Sequence, residues 1–209
     1  MKVLIVAATK IEILPFLAKQ KSVDHLITGV GVPACLFTLT QQLATQHYDF
    51  VIQAGVAGSY VNATPLACTY YVISDVFADV GIKEKDRFNS LFDVGFANPN
   101  QHPFSNGLLL NKVHNNFGLL PVRAITVNTI TDDIVQNELL SKKYNAEIES
   151  MEGAAMHYVC LQKNVPFLQI RSTSNYVGER NKKYWKLDQA IQILNDDLIK
   201  IVDTLLANK

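Results

Sequence analysis

The opening stretch KVLIVAA, at positions 2–8, is an uninterrupted apolar run, and it narrows the choice of fold more than any other feature. A strand with one solvent-facing side would alternate apolar and polar residues, so this run predicts a strand buried on both faces. Such strands belong to parallel sheets that carry helices on both sides. The run is short and leads into a charged, helix-like stretch without a small-residue cleavage site, so we interpret it as a first strand and not as a signal peptide.

Apolar strand patterns alternate with helical patterns along the rest of the chain. Pro15 is expected to bend or interrupt the first helix, and Thr131-Asp132-Asp133 has the capping chemistry of a helix start. The alternation predicts one three-layer αβα domain over residues 1–209, with a largely parallel, mixed central sheet. The expected strands are 2–8, 24–31, 49–60, 68–79, 121–130, 145–151 and 166–174, and the expected helices are 10–20, 32–46, 107–117, 152–164 and 187–209. The helix at 32–46 is expected to bury a stripe of Ala34, Phe37, Leu39 and Leu43.

Composition excludes several classes of protein. The 19 Lys and Arg residues balance 19 Asp and Glu residues and form no basic stripe, so nucleic acid is not an expected partner. No run approaches the roughly 20 apolar residues that a membrane span needs. Cys35, Cys68 and Cys160 are far apart in apolar surroundings, which favours buried small residues over disulfides, a zinc site or a nucleophile. We expect a cytoplasmic protein that needs no metal or cofactor.

In a sheet of this kind ligands bind at the carboxyl ends of the strands, so the residues there are the candidates for chemistry. Glu12 follows the first strand by half a turn of helix, where a carboxylate could orient or activate a water. Pairing with the helix dipole is the alternative for Glu12. The turn QAGVAGSY at 53–60 carries two glycines that would let a ligand approach the backbone closely, although the motif alone favours a tight turn without a ligand.

Two further strand ends carry polar residues. In IESMEGAA (148–155), Glu152 sits between a strand and a helix of small residues, where its carboxylate could accept two hydrogen bonds from a ribose diol, with Met151 as an apolar surface. First-turn dipole pairing remains open for Glu152. In QIRSTSNYVGER (169–180), Asn175 carries an amide that both donates and accepts, which suits an oxo group beside a ring nitrogen. A turn-forming role is the alternative for Asn175.

These motifs together resemble the nucleoside phosphorylase and nucleosidase superfamily. The likeness rests on Glu12, AGVAG at 54–58, SMEGAA at 150–155 and IRSTSN at 170–175, and it covers nearly the whole chain in order. Within the superfamily, RSTSNYVGERNKKYW (171–185) is most similar to the futalosine hydrolases, the nucleosidases of menaquinone biosynthesis.

Two departures separate this chain from other branches of the superfamily. Phosphorylases carry an arginine just before the glycine turn and a Ser or Thr within it, whereas this chain has Gln53 and Val56. Water is therefore the expected nucleophile. Methylthioadenosine nucleosidases place an Asp where Asn175 stands. Asn175 cannot supply a proton, but it can hydrogen-bond N7 and O6 of a 6-oxopurine.

The resemblance implies hydrolysis of the N-glycosidic bond of futalosine to hypoxanthine and dehypoxanthine futalosine. Glu12 and Asn175 would be catalytic, and Ala54, Gly55, Met151, Glu152, Tyr176 and Arg180 would bind substrate, with Tyr176 and Arg180 near its aromatic carboxylate tail. The aromatic-rich loop 80–105 is a second candidate for tail contact, across a subunit boundary of an expected homo-oligomer. Alternatives are a broader purine nucleosidase or phosphorylase acting on inosine or methylthioadenosine-like nucleosides, or a non-catalytic nucleoside-binding protein.

Overall fold

The computed structural model of the chain describes residues 1–20, 22–60, 63–85, 87–113 and 117–207. Its helices are α1 (Leu14–Lys19), α2 (Val32–Thr45), α3 (Ile134–Tyr144), α4 (Gly153–Lys163) and α5 (Leu187–Ala207), with short 3₁₀ helices at Lys10–Ile13 and Lys182–Tyr184. Its strands are β1 (Val3–Ala7), β2 (Asp24–Ile27), β3 (Phe50–Ser59), β4 (Thr69–Asp75), β5 (Gly81–Glu84), β6 (Arg87–Ser90), β7 (Leu109–Leu110), β8 (Leu120–Thr126), β9 (Ile148–Ser150) and β10 (Phe167–Tyr176).

The main sheet is mixed and curls back on itself around the long strand β3. β1 pairs in parallel with both β2 and β3, which extends the sheet on one side. β10 pairs in parallel with β3 and antiparallel to β4. β4 and β8 pair in parallel, as do β8 and β9, and β9 returns to β3 in an antiparallel pair. These pairings close β3, β10, β4, β8 and β9 into a ring, which brings the ends of β3, β9 and β10 close together.

Helices cover both faces of the sheet, which confirms the expected three-layer αβα arrangement. On one face Phe16 of α1 and Leu198 of α5 pack with Ile52 and Ile170, and all four side chains are fully buried. On the other face α2 and α4 bury Leu39, Cys35, Met156 and Cys160. The strand β1 between these layers is buried over its whole length, as its apolar run predicts.

Local chemistry places the helix starts as expected. Pro15 stands at the beginning of α1, after the 3₁₀ turn, so the first helical stretch is interrupted there. Asp133 caps α3 by accepting a hydrogen bond from the Gln136 N–H at 3.1 Å.

The cysteines lie in the interior or partly covered. Cys35 and Cys160 are buried, and burial raises the pKa of the Cys35 thiol to about 12, while Cys68 is half-buried. No helix of the described residues is long and apolar enough to cross a bilayer.

Two expectations are wrong. The helix at 107–117 is absent from its described part, where Leu109 and Leu110 instead pair antiparallel with Asp75 and Ser74 at the sheet edge; residues 114–116 lie outside the described residues. Pairing with β4 and complete burial of Leu109 outweigh the local helical pattern. In the predicted stripe of α2, Leu39 is buried and Leu43 packs against the core as expected, whereas Phe37 is wrong: it is 66% exposed, and Cys35 is buried instead. The segment 80–105 holds the β5–β6 hairpin.

Candidate active site

A cavity of about 310 Å³ opens at the carboxyl ends of β1, β9 and β10, beside the second half of β3. Its wall includes the side chains that the sequence singles out at Glu12, Met151, Glu152, Asn175 and Arg180. These residues span most of the chain, so the topology brings them together. The glycine turn contributes Val56, Ala57 and Gly58 to the same wall.

The Glu12 carboxylate is 7% exposed and held by three hydrogen bonds. Both the N–H and the hydroxyl of Thr9 donate to Oε2 at 2.9 Å, and the Val56 N–H donates to Oε1 at 3.1 Å. A carboxylate offers about four lone-pair directions, so roughly one remains to accept a hydrogen bond from a water in the cavity. The geometry suits a group that orients and deprotonates water.

The backbone of Glu12 is fixed by a residue that the sequence analysis does not identify. Asn195 of α5 is fully buried, and its Nδ2 donates to the Glu12 carbonyl at 2.8 Å. Its Oδ1 accepts from the Phe16 N–H at 2.9 Å. A buried amide satisfied in this way locks the 3₁₀ turn of Glu12 against α5. A polar residue within the apolar periodicity of α5 is the sequence signal that could have revealed this position.

Glu152 lies at the start of α4 and is 4% exposed. The Gly31 N–H donates to its Oε1 at 2.9 Å, and Gly31 has a φ of 92°, which a glycine adopts without strain. Burial raises the pKa of Glu152, while the nearby Arg171 guanidinium and the Gly31 N–H act in the opposite direction. The carboxylate faces the cavity beside Met151, the position expected of a group that binds a diol.

Arg171 is the buried cation of the site, with 1% exposure, and the sequence analysis gives it no role. Its Nη1 lies 3.8 Å from Glu152 Oε2, and its Nη2 donates to Gln53 Oε1 at 2.9 Å. Gln53 therefore stands next to an arginine and orients it toward Glu152. The guanidinium lies behind the cavity wall, so it balances the buried carboxylate and fixes its direction.

Ala54 and Gly55 lie behind the cavity wall, although the sequence analysis places them against substrate. Both are buried, and the wall of β3 begins at Val56. A Cβ on Gly55 would come within 2.4 Å of Arg171 Nη1 and 2.9 Å of Glu12 Oε1. The glycine is required because the side chains of Glu12 and Arg171 pass over its Cα.

Substitution Gly55→Ala is expected to lower both stability and activity. The added methyl forces two buried charged groups to move, and overpacking of this kind costs about 1–3 kcal/mol. Chemical denaturation is expected to show that loss, and the displaced Glu12 is expected to lower turnover in the same variant. Wild-type stability together with wild-type turnover would contradict this role for Gly55.

Asn175 projects into the cavity with its amide orientation set by two neighbours. The Ser174 hydroxyl donates to Asn175 Oδ1 at 2.8 Å, and Asn175 Nδ2 donates to the Tyr176 carbonyl at 3.0 Å. One hydrogen of Nδ2 is left for a ligand, as an N7 or O6 acceptor requires. Successive strand residues alternate in direction, and Tyr176 accordingly lies outside this cavity and borders two neighbouring grooves.

The charged side chains of the cavity wall are predominantly acidic. Glu12, Glu149, Glu152 and Glu179 line it, and Arg180 at its mouth is the one Lys or Arg among the described lining residues. Arg180 is exposed and forms no ion pair with the part of the chain that the structure describes. No cluster of three or more potential metal ligands occurs within the described ranges. The wall suits a neutral sugar and base better than a dianion.

Comparison with known proteins places this chain in a family. The family model described as "Phosphorylase superfamily" matches residues 15–207. Futalosine hydrolase of Acidothermus cellulolyticus is 30% identical over 179 residues, which cover 82% of this chain and 71% of that protein. The chain belongs to the phosphorylase superfamily and, within it, to the futalosine hydrolases. Futalosine hydrolase of Streptomyces coelicolor is 28% identical over 87% of this chain and 79% of its own length.

Solved structures share the fold of this futalosine hydrolase family member. Futalosine hydrolase of Helicobacter pylori superposes with a TM-score of 0.78 at 19% identity, covering 98% of both chains. The methylthioadenosine/S-adenosylhomocysteine nucleosidase of Campylobacter jejuni gives a TM-score of 0.80 at 17% identity, over 98% of this chain and 99% of that one. These likenesses confirm the nucleoside phosphorylase-like fold.

Proposed function

We propose that this protein hydrolyses the N-glycosidic bond of futalosine and releases hypoxanthine. The observation that carries the proposal is the convergence in one cavity of Glu12, Glu152 and the oriented amide of Asn175. The three groups match the three parts of the reaction, which are the attacking water, the ribose and the departing base. Membership of the futalosine hydrolases supports the choice of nucleoside.

The proposed reaction passes through an oxocarbenium-like transition state, as other glycosyl hydrolyses do. Glu12 holds the water with its remaining lone pair and accepts its proton as the C–O bond forms. Glu152 accepts hydrogen bonds from the ribose hydroxyls, and Met151 packs against the sugar. Electrons of the breaking C–N bond move onto the base, where Asn175 donates a hydrogen bond that stabilises the charge. The departing anion takes a proton from solvent to give hypoxanthine, and Glu12 returns the proton of the attacking water to solvent.

Water is the proposed nucleophile because, among the described lining residues, no cation stands beside Glu12 and Glu152 at the sugar face to bind a phosphate. A dianion at the sugar face would lie beside Glu12 and Glu152, and like charges only a few ångströms apart repel strongly in a partly buried site. The charge of Arg171 is engaged by Glu152 and lies behind the wall. Gln53 and Val56 stand where phosphorylases supply phosphate contacts, and both instead serve Arg171 and Glu12.

The substrate tail is proposed to lie toward Arg180 at the mouth of the cavity. Arg180 suits bidentate contact with the tail carboxylate, and no described residue neutralises it. The indole of Trp185 lines the same side and is held by a hydrogen bond from its Nε1 to the Glu179 carbonyl at 2.9 Å. A fixed aromatic surface beside a cation fits an aromatic carboxylate.

Release of base is expected to be independent of phosphate. Purified protein would be incubated with futalosine over a phosphate titration that starts from phosphate-free buffer, and free hypoxanthine would be followed by chromatography. Equal rates throughout support water as the nucleophile. A rate that vanishes without phosphate, together with a sugar phosphate product, would assign the protein to the phosphorylases.

A further inference from the structure

Glu149 is a buried carboxylate of the cavity wall that the reaction described above does not use. It lies on β9 and is 7% exposed. In the curled sheet it stands in register with Gly58 of β3, and Asn175 of β10 is in register with the same glycine from the other side. Residues in register across a sheet point to one face, so Glu149 and Asn175 flank a position without a side chain.

The spacing of these two residues fits a bicyclic base. Two strand intervals of about 4.8 Å put their Cα atoms roughly 10 Å apart, and both side chains extend into the cavity. Val177 packs over Gly58 between them, where a Cβ of Gly58 would lie 2.9 Å from Val177 Cγ2. The result is an apolar floor with an amide at one edge and a carboxylate at the other.

One oxygen of Glu149 is satisfied and the other is available to a ligand. The Tyr60 hydroxyl donates to Oε2 at 2.9 Å, and none of the described residues donates to Oε1. Burial raises the pKa of Glu149 to about 7, with the negative charge of Asp79 adding to the effect and the Tyr60 hydrogen bond opposing it. An acceptor that opens toward the cavity can take a hydrogen bond from a ligand donor in place of water.

A 6-oxopurine carries such a donor. Its O6 and N7 accept hydrogen bonds, one of which the free Nδ2 hydrogen of Asn175 can donate, whereas its N1–H donates and needs an acceptor. We propose that Glu149 accepts the N1–H of the base and is a specificity-determining residue for 6-oxopurines, an inference that rests on the proposed function. Adenine presents a lone pair at N1, so the ionised carboxylate would face another acceptor and disfavour it. This discrimination holds above the raised pKa of Glu149 and is lost below it, where the protonated acid can donate to N1.

Kinetic selectivity tests this role. The value of kcat/KM would be measured for futalosine and for its 6-amino counterpart, in wild type, Glu149→Leu and Glu149→Gln. The leucine removes the acceptor, and the preference for the 6-oxo nucleoside is expected to fall on the order of 10²-fold. The glutamine can turn its N–H toward N1 of adenine. In this variant kcat/KM for the 6-amino nucleoside is therefore expected to rise, which lowers the preference for the 6-oxo nucleoside.

Glu147→Gln is the matched control, since Glu147 immediately precedes β9 and pairs with Arg123 at 3.1 Å, away from the cavity. It is expected to keep the wild-type preference. If the Glu149 substitutions only weaken the structure, kcat/KM falls for both nucleosides together and the ratio stays unchanged. An unchanged ratio would overturn the assignment. The glutamine variant is nearly isosteric and carries the test if the leucine variant does not fold.

Binding of free bases separates this inference from the proposed function. Hypoxanthine and adenine would be titrated into wild type and both Glu149 variants by calorimetry. Loss of the hypoxanthine preference in the variants supports the role of Glu149 even if wild type cleaves no futalosine, in which case only the proposed function fails. Futalosine cleavage by wild type with an undiminished hypoxanthine preference in the variants would leave the function standing and sink the inference.

Discussion

Replacing Glu12 by Gln is expected to lower kcat for futalosine by about 10²–10⁴, the usual contribution of a positioned general base. The glutamine keeps the size of the side chain but cannot accept the proton of the attacking water. Its amide N–H₂ would also face a donor in either orientation, because Thr9 donates to Oε2 and the Val56 N–H donates to Oε1. Steady-state kinetics with a denaturation curve of the same preparation distinguish lost chemistry from lost fold.

Glu138→Gln provides the matched control for that experiment. Glu138 is exposed on α3 and pairs with Lys142 at 2.8 Å, remote from the wall of the cavity. Surface pairs of this kind contribute little, so both stability and kcat are expected to stay near wild type. Near-normal turnover in Glu12→Gln would remove Glu12 from the proposed mechanism.

Removal of the Asn175 amide is expected to cost about 10²–10³ in kcat/KM, the range typical for loss of one hydrogen-bond donor that stabilises developing charge. Asn175→Ala leaves hypoxanthine without its donor at N7 or O6 and removes the shorter of the two hydrogen bonds that the Ser174 hydroxyl can donate. The expected loss is larger in kcat than in substrate binding, because charge develops on the base only as the bond breaks.

Asn175→Asp gives the sharper comparison because it changes only the chemistry at that position. An aspartate can protonate N7 and accept from an exocyclic amino group, so the variant is expected to gain activity toward 6-amino nucleosides relative to futalosine. Unaltered preference in Asn175→Asp, or wild-type activity in Asn175→Ala, would mean that Asn175 does not bind the base.

Much of the fold follows from sequence periodicity because most of its elements are defined locally. β1 is recognisable from a run buried on both faces, and α3 from the capping chemistry of Asp133. β7 is not recognisable, because two leucines acquire strand structure only by pairing with the edge of β4. The closure of the sheet is equally non-local, since it depends on β9 returning to β3.

The candidate site likewise combines residues that the sequence identifies locally with residues whose roles depend on non-local contacts. Glu12, Glu152 and Asn175 stand at strand ends, so the rule for ligand sites in α/β sheets finds them from sequence. Arg171 and Asn195 act through contacts made across the fold, and Gly55 acts by leaving room, so their roles appear only once the side chains are placed. The position of Glu149 relative to Asn175 depends on the sheet register, which aligns both residues with Gly58 of the intervening strand β3. Single-domain organisation, a cytoplasmic location and a homo-oligomer remain predictions.

The most direct test of the account is the rate of base release from futalosine, inosine and methylthioadenosine at equal concentration in phosphate-free buffer. Hypoxanthine is expected from futalosine at the highest kcat/KM, with essentially no adenine from methylthioadenosine. Adenine as the main product would contradict the proposal that Asn175 selects 6-oxopurines. Release of no base from any of the three would contradict catalysis itself and favour a nucleoside-binding protein.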